Sequence, residues 1–126
     1  MKNYTTDSAA IAEVLNNIYF KGIYKGDVTL LENAYYENTL LFGDVKGQPY
    51  FKTLAQYLDG VKNRQSPKDL GKPFSGDIIA IEIVNTIAVA KVQVKMYDFN
   101  YAELLSFHKF GDKWLIVTKM ISDIQQ

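Results

Sequence analysis

The stretch from Asp77 onward constrains the fold most. Runs of strand-forming residues with alternating apolar and polar character are separated there by short turn signals, which is the pattern of an antiparallel meander. Asn85-Thr86, read as a two-residue turn, pairs Ile83 with Ala88, Ile81 with Ala90 and Ile79 with Val92. A loop at Asp98 to Asn100 pairs Tyr97 with Tyr101, Lys95 with Glu103 and Val94 with Leu104. Gly111-Asp112 closes a third hairpin, with His108 opposite Leu115, Ser106 opposite Val117 and Leu104 opposite Lys119. The three registers agree on one inner face, which carries Ile79, Ile81, Ile83, Ala88, Ala90, Val92, Val94, Met96, Ala102, Leu104, Ser106, His108, Leu115, Val117 and Ile121.

The outer face then carries Lys91, Gln93, Lys95, Glu103 and Lys109, together with an apolar stripe of Leu105, Phe107, Trp114, Ile116 and Met120. A stripe of that size is too large to leave wet on a monomer, so a sheet-to-sheet homodimer through Leu105, Phe107, Trp114 and Ile116 is expected.

Ahead of the meander, Thr6 or Asp7 caps a helix whose apolar positions Ile11, Val14, Leu15, Ile18 and Tyr19 recur at helical spacing, and Gly26 stops it. Asp27 caps a second, short helix through about Tyr36. Thr39 to Val45 reads as a strand, Lys46-Gly47 as its turn, and Thr53 as the cap of a helix carrying Leu54, Tyr57, Leu58 and Val61. Two Pro and two Gly make 63–76 a long loop. No linker or repeat divides the chain, so residues 1–126 form one α+β domain, N-terminal helices packed on a strongly curved, mainly antiparallel sheet.

Composition narrows the partners. Fourteen basic residues cancel 14 acidic ones, leaving no field to draw nucleic acid or an anionic membrane. There is no cysteine, which suits a cytoplasmic location and removes disulfides, thiol nucleophiles and thiolate metal sites. The longest uncharged apolar runs are too short to span a bilayer. With a single histidine and no clustered carboxylates, no metal site is expected, and no Gly-rich phosphate loop points to a nucleotide cofactor.

The order helix, Gly26-Asp27, short helix, strand, helix and meander, ending in Gly111-Asp112-Lys113-Trp114, resembles the nuclear transport factor 2-like superfamily. That group includes ketosteroid isomerases, scytalone dehydratases and SnoaL-like polyketide cyclases. More narrowly, Leu41-Phe42-Gly43-Asp44-Val45, Pro49-Tyr50-Phe51-Lys52-Thr53-Leu54 and Asn63-Arg64 with Ser66-Pro67-Lys68-Asp69-Leu70-Gly71 resemble the family described as putative lumazine-binding. The resemblance covers nearly the whole chain and implies a cystatin-like cone with an internal pocket, commonly in a homodimer.

Isomerases of this superfamily use a carboxylate base, with a Tyr and a second acid donating to an oxyanion. By position, the Tyr falls on Tyr19, the base on Gly43 with Asp44 one place away on the opposite strand face, and the second acid on Ser106. Two of three roles are missing, so steroid-type isomerisation is not expected. A serine triad is not expected either, because Ser106 and His108 on one strand face stand roughly 6 to 7 Å apart with parallel side chains.

The candidates left for the pocket are Tyr19, Ser106, His108 and Lys119, with Asp44 and Arg64 at a rim or lid formed by the 63–76 loop. A cation at Lys119 on an apolar face needs solvent, an acid or an anionic ligand. An apolar cone without paired carboxylates points to binding of a small apolar or aromatic molecule. An enzyme acting on a carbonyl compound and a dimerisation module with a vestigial pocket are the alternatives.

Overall fold

The computed structural model describes residues 3–124. A helical stretch runs from α1 (Thr5–Val14) through a π-helical segment (Leu15–Phe20) into α2 (Lys21–Lys25). It starts ahead of the expected Thr6 or Asp7 cap, because the Asn3 side-chain oxygen accepts from the Thr5 amide at 2.9 Å. Gly26 ends it in the left-handed conformation, φ +66°. The Asp27 side chain accepts from the Leu30 amide and starts α3 (Val28–Leu31), which a 3-10 turn (Glu32–Ala34) extends. The chain becomes extended at Tyr35, sooner than expected, because Tyr35 already pairs with Ile116.

Strands β1 (Tyr35–Val45) and β2 (Gln48–Thr53) form a hairpin through Lys46-Gly47. Thr53 and Gln56 then satisfy each other's amides in a reciprocal cap, and α4 (Leu54–Asn63) follows. Within the expected 63–76 loop, Ser66 caps a single helical turn, α5 (Pro67–Leu70). The meander comprises β3 (Phe74–Val84), β4 (Ile87–Met96), β5 (Phe99–Phe110) and β6 (Lys113–Asp123).

All six strands form one open sheet in the order β2-β1-β6-β5-β4-β3. Among the described residues only the β1–β6 pair is parallel. Irregularities at Ile79, at Val117 and between Tyr35 and Leu40 bend it, as bulges do, so that the helices sit within its curve. Ile11, Leu15, Tyr19 and Ile23 from the first helical stretch, with Leu54, Tyr57 and Val61 of α4, pack against the inner face. Among the described residues no helix is long and apolar enough to cross a membrane.

The β3–β4 hairpin keeps the expected pairs Ile83 with Ala88 and Ile81 with Ala90. Ile79 instead occupies a bulge, half-exposed, and Ile78 takes its place opposite Val92. The β4–β5 hairpin overturns the expected register. Its turn is Tyr97-Asp98, with Tyr97 in a left-handed conformation at φ +53°, so Met96 faces Phe99 and Lys95 faces Asn100. An odd shift moves every side chain of a strand to the other face.

Tyr101, Glu103, Leu105 and Phe107 therefore point into the core, whereas Leu104, Ser106 and His108 point outward. The β5–β6 hairpin preserves His108 opposite Leu115, so Trp114 and Ile116 turn inward too. The extra residue Val117 then reverses the parity of β6, which returns Lys119 and Ile121 to the inner face. Two displacements cancel at those two residues.

The expected dimer surface is thereby corrected. Leu105, Phe107, Trp114 and Ile116 are 0–2% exposed within a single chain and unavailable to a partner. Full burial of such side chains contributes about 1.5–3 kcal/mol each, so they are core residues energetically as well as geometrically. Trp114 Nε1 and Lys109 Nζ both donate to Asp7 Oδ1, at 3.1 and 3.0 Å, tying α1 to the last hairpin.

Candidate functional site

The π-helical segment places the site's first residue. One turn wound wider than an α-helix shifts the phase of the residues after it, and such segments recur at functional sites. Here it presents Tyr19, fully buried, to the inner sheet face, where its hydroxyl donates to Glu103 Oε1. Glu103 and Lys119 are diagonal neighbours on that face, since Glu103 pairs with Ile121 and Leu105 with Lys119. Their charged ends lie 3.8 Å apart, with side chains 2% and 4% exposed.

Aromatic rings enclose this pair. The Lys119 ammonium lies 4.5 Å from the Tyr57 ring centroid and 5.2 Å from that of Tyr19, within cation–π range. Tyr35 packs edge-on against both Tyr19 and Tyr57, at 6.1 and 5.9 Å. Among the described residues the buried hydroxyls of Tyr35 and Tyr57 meet no partner in hydrogen-bond geometry, although Tyr57 lies close to both Tyr35 and Lys119.

A cavity of about 250 Å³ opens beside this cluster. Tyr57, Glu103 and Lys119 form its floor, and Val45, Met96 and Ile121 supply apolar wall. Tyr50 and Tyr101 add aromatic surface, while Lys52 and Arg64 lie nearer solvent.

Burial sets the protonation of these groups. It holds the Tyr19 and Tyr35 hydroxyls well above the usual phenol range, with the Glu103 charge adding to the effect on both, and it raises Tyr50 and Tyr101. The phenols are thus neutral donors at physiological pH. Burial also raises Glu103, against the opposing pull of the Lys119 charge and the Tyr19 hydrogen bond. For Lys119 burial pulls downward, but Glu103, Tyr57 and Tyr50 together outweigh it, and the amine is held above its ordinary value as a cation.

Of the residues expected from sequence, Tyr19 and Lys119 meet at this centre. Ser106 and His108 do not. The register shift puts them on the outer face, at a shallow depression shared with Glu82, Val89 and Val117, where His108 packs on Phe110 at 4.8 Å. Asp44 also faces outward, accepting from Ser122 Oγ at 3.0 Å. Arg64 lines the cavity mouth, 5.7 Å from the Tyr97 ring. The loop it begins is anchored by Tyr97 Oη donating to the Gln65 carbonyl at 2.5 Å and by the buried Ser66.

Glu103 is the residue that sequence reasoning missed. Its signal was the alternation Tyr101, Glu103, Leu105, Phe107, in which three large apolar side chains share a face with one acid. The vacancy of the isomerase base position also gains a physical reason. Gly43 has φ +143°, and a β-carbon there would lie 1.7 Å from the Ile121 carbonyl oxygen, so this backbone admits no side chain at that position.

Helices resting in a curved open sheet, with a cavity between the layers, define the nuclear transport factor 2-like class. Solved structures agree with this. A nuclear transport factor 2-like protein of unknown function from Shewanella baltica superposes with a TM-score of 0.84 at 26% identity, covering 97% of each chain. One from Methylobacillus flagellatus gives 0.83 at 26% identity over 95% of this chain and 94% of that one. A ketosteroid isomerase-like protein from Erwinia carotovora atroseptica gives 0.73 over 97% and 99%, but at 12% identity it shares the fold alone. Residues 6–122 match the model of the putative lumazine-binding family, and the chain belongs to that family. Among curated proteins, none matches the sequence.

Proposed function

We propose that this protein binds a small aromatic molecule in the cavity between α4 and the inner sheet face. The observation that carries this reading is an aromatic-lined cavity of about 250 Å³ in which the Lys119 ammonium stands against the Tyr57 ring and Tyr50 and Tyr101 add further ring surface. Pockets that recognise small molecules combine apolar walls with a few convergent polar groups, and this volume sits just below their usual span, which favours one ring or two fused rings. A bicyclic heteroaromatic such as the lumazine of the family's description falls in that class.

The test is a thermal-shift screen of one- and two-ring aromatics, repeated on Tyr57→Phe and on Met96→Trp, which fills the wall. Stabilisation of the wild type that Met96→Trp abolishes is the expected result. If no aromatic compound stabilises the wild type, the reading fails.

An enzyme acting on a carbonyl compound is the second reading, favoured by the Tyr19–Glu103 contact and the ammonium beside it, which could polarise an oxygen. The closed position at Gly43 weighs against it, because the superfamily's base has no counterpart there.

We also propose that two copies pair through the outer sheet face, by a row that shares only Met120 with the stripe first expected. Phe51, Phe42, Met120 and Leu104 form one cross-strand row, and all four are exposed, at 63%, 37%, 51% and 45%. Among the described residues no element covers this row, and Lys91 and Glu82 on the same face offer a two-fold partner one charge of each sign. Sedimentation should give a dimer.

A further inference from the structure

We propose that the cavity selects a planar aromatic ligand bearing an anionic oxygen, seated with that oxygen on the Lys119 ammonium and the Tyr57 hydroxyl. This rests on the pocket-binding reading above and narrows it to one charge class. The chain as a whole is electrically balanced, with 14 basic and 14 acidic residues, but the cavity lining is not. Lys119, Lys52 and Arg64 line it against the single carboxylate of Glu103. Among the described residues, neither Lys52 nor Arg64 enters an ion pair.

Glu103 does not fully satisfy Lys119. Its nearer oxygen stands 3.8 Å from the ammonium, beyond hydrogen-bond length, and its other oxygen already accepts from Tyr19. The ammonium instead lies against ring faces, which attract a cation without accepting its protons in line. An anionic oxygen entering from the cavity supplies the ammonium with a charged acceptor at hydrogen-bond length, which Glu103 does not give it, and meets Tyr57 on the same lining.

The remaining groups orient the rest of the ligand. Tyr50 and Tyr101 offer ring surface along the wall. The mouth cations Lys52 and Arg64 attract an anion from solution, in a concave site that concentrates the field. A cationic ligand of the same shape would meet repulsion from Lys52 and Arg64 at the mouth and from the Lys119 ammonium beyond them.

The probes are 2-naphthoate, its neutral counterpart 2-naphthamide and the cation 2-naphthylmethylammonium, titrated by calorimetry into the wild-type chain. Naphthoate should bind about tenfold or more tightly than the amide, as expected for a hydrogen bond to a charged group, and the cation should give no heat of binding. In Lys119→Met the affinity for naphthoate should fall more than that for the amide, and the preference between them should shrink sharply. In Arg64→Ala the naphthoate affinity should fall and lose part of its salt dependence.

Equal affinity for naphthoate and naphthamide in the wild type would overturn the charge preference and leave the pocket-binding reading standing. If neither the acid nor the amide binds, both fail. The wild-type comparison decides the matter even if Lys119→Met does not fold.

Discussion

Replacing Lys119 by Met, Glu103 by Gln, and both together gives the most direct test of the centre described above. The two charges lie 3.8 Å apart with side chains only 4% and 2% exposed, so water screens them little. At an effective dielectric of about 20, their attraction at that distance is roughly 4 kcal/mol. Either single change strands a buried charge, and the expected loss is about 3–5 kcal/mol. Gln keeps an acceptor for the Tyr19 hydroxyl, so that hydrogen bond is not what Glu103→Gln measures. The double variant removes both desolvated charges and should lie within about 1 kcal/mol of the wild type, or above it.

Urea denaturation at pH 5 and pH 8 provides the readout, and the pH dependence has a definite sign. Burial raises Glu103 above its unfolded value, so the folded protein holds that proton more tightly. Its contribution is present below the ordinary carboxylate range and is lost as pH rises through the folded value. Lys119 opposes the rise. In Lys119→Met that restraint is gone, the window extends upward, and the deficit against the wild type should widen from pH 5 to pH 8. Additive single and double variants, or a deficit unchanged with pH, would refute the coupling.

Three further outcomes follow from the geometry. Gly43→Ala should lower stability by at least about 2 kcal/mol in thermal melts, since its β-carbon meets the Ile121 carbonyl at φ +143°. Leu104→Asp with Met120→Glu should yield folded monomer in sedimentation, both side chains being about half exposed in one chain. Trp114→Phe should cost about 1 kcal/mol through the lost bond to Asp7 and leave the association state unchanged, the reverse of what an interfacial Trp114 would do.

Much of this fold is legible in the chain. The glycine stop at Gly26, the Asp27 and Thr53 caps and the β3–β4 turn are local chemistry, readable within a few residues. The face of β5 is not local. It depends on whether the chain turns at Tyr97-Asp98 or at Asp98 to Asn100, and a tyrosine in the left-handed region is an uncommon choice that propensity alone points away from.

That one turn moved Glu103 into the site and Ser106 and His108 out of it. Lys119 was placed correctly only because the Val117 bulge restored what the turn had inverted, and a bulge leaves little trace in an alternation pattern. Tyr19 was visible because it shares a helix face with Leu15, but its acidic partner is 84 positions away along the chain.

The wide turn at Leu15–Phe20 also makes the centre sensitive to chain length. Removing a single residue from it, for instance Asn16 or Asn17, would restore an ordinary helix with little loss of apolar surface, since both are exposed. Every side chain on the N-terminal side would then swing by ~100° about the axis relative to Gly26, or Tyr19 would do so relative to α1. Relatives that differ here by one insertion or deletion would therefore share the cone but not the phenol above the β5 carboxylate. The residue count between the helix start and its terminal glycine becomes a marker for sorting them by the chemistry of their cavities.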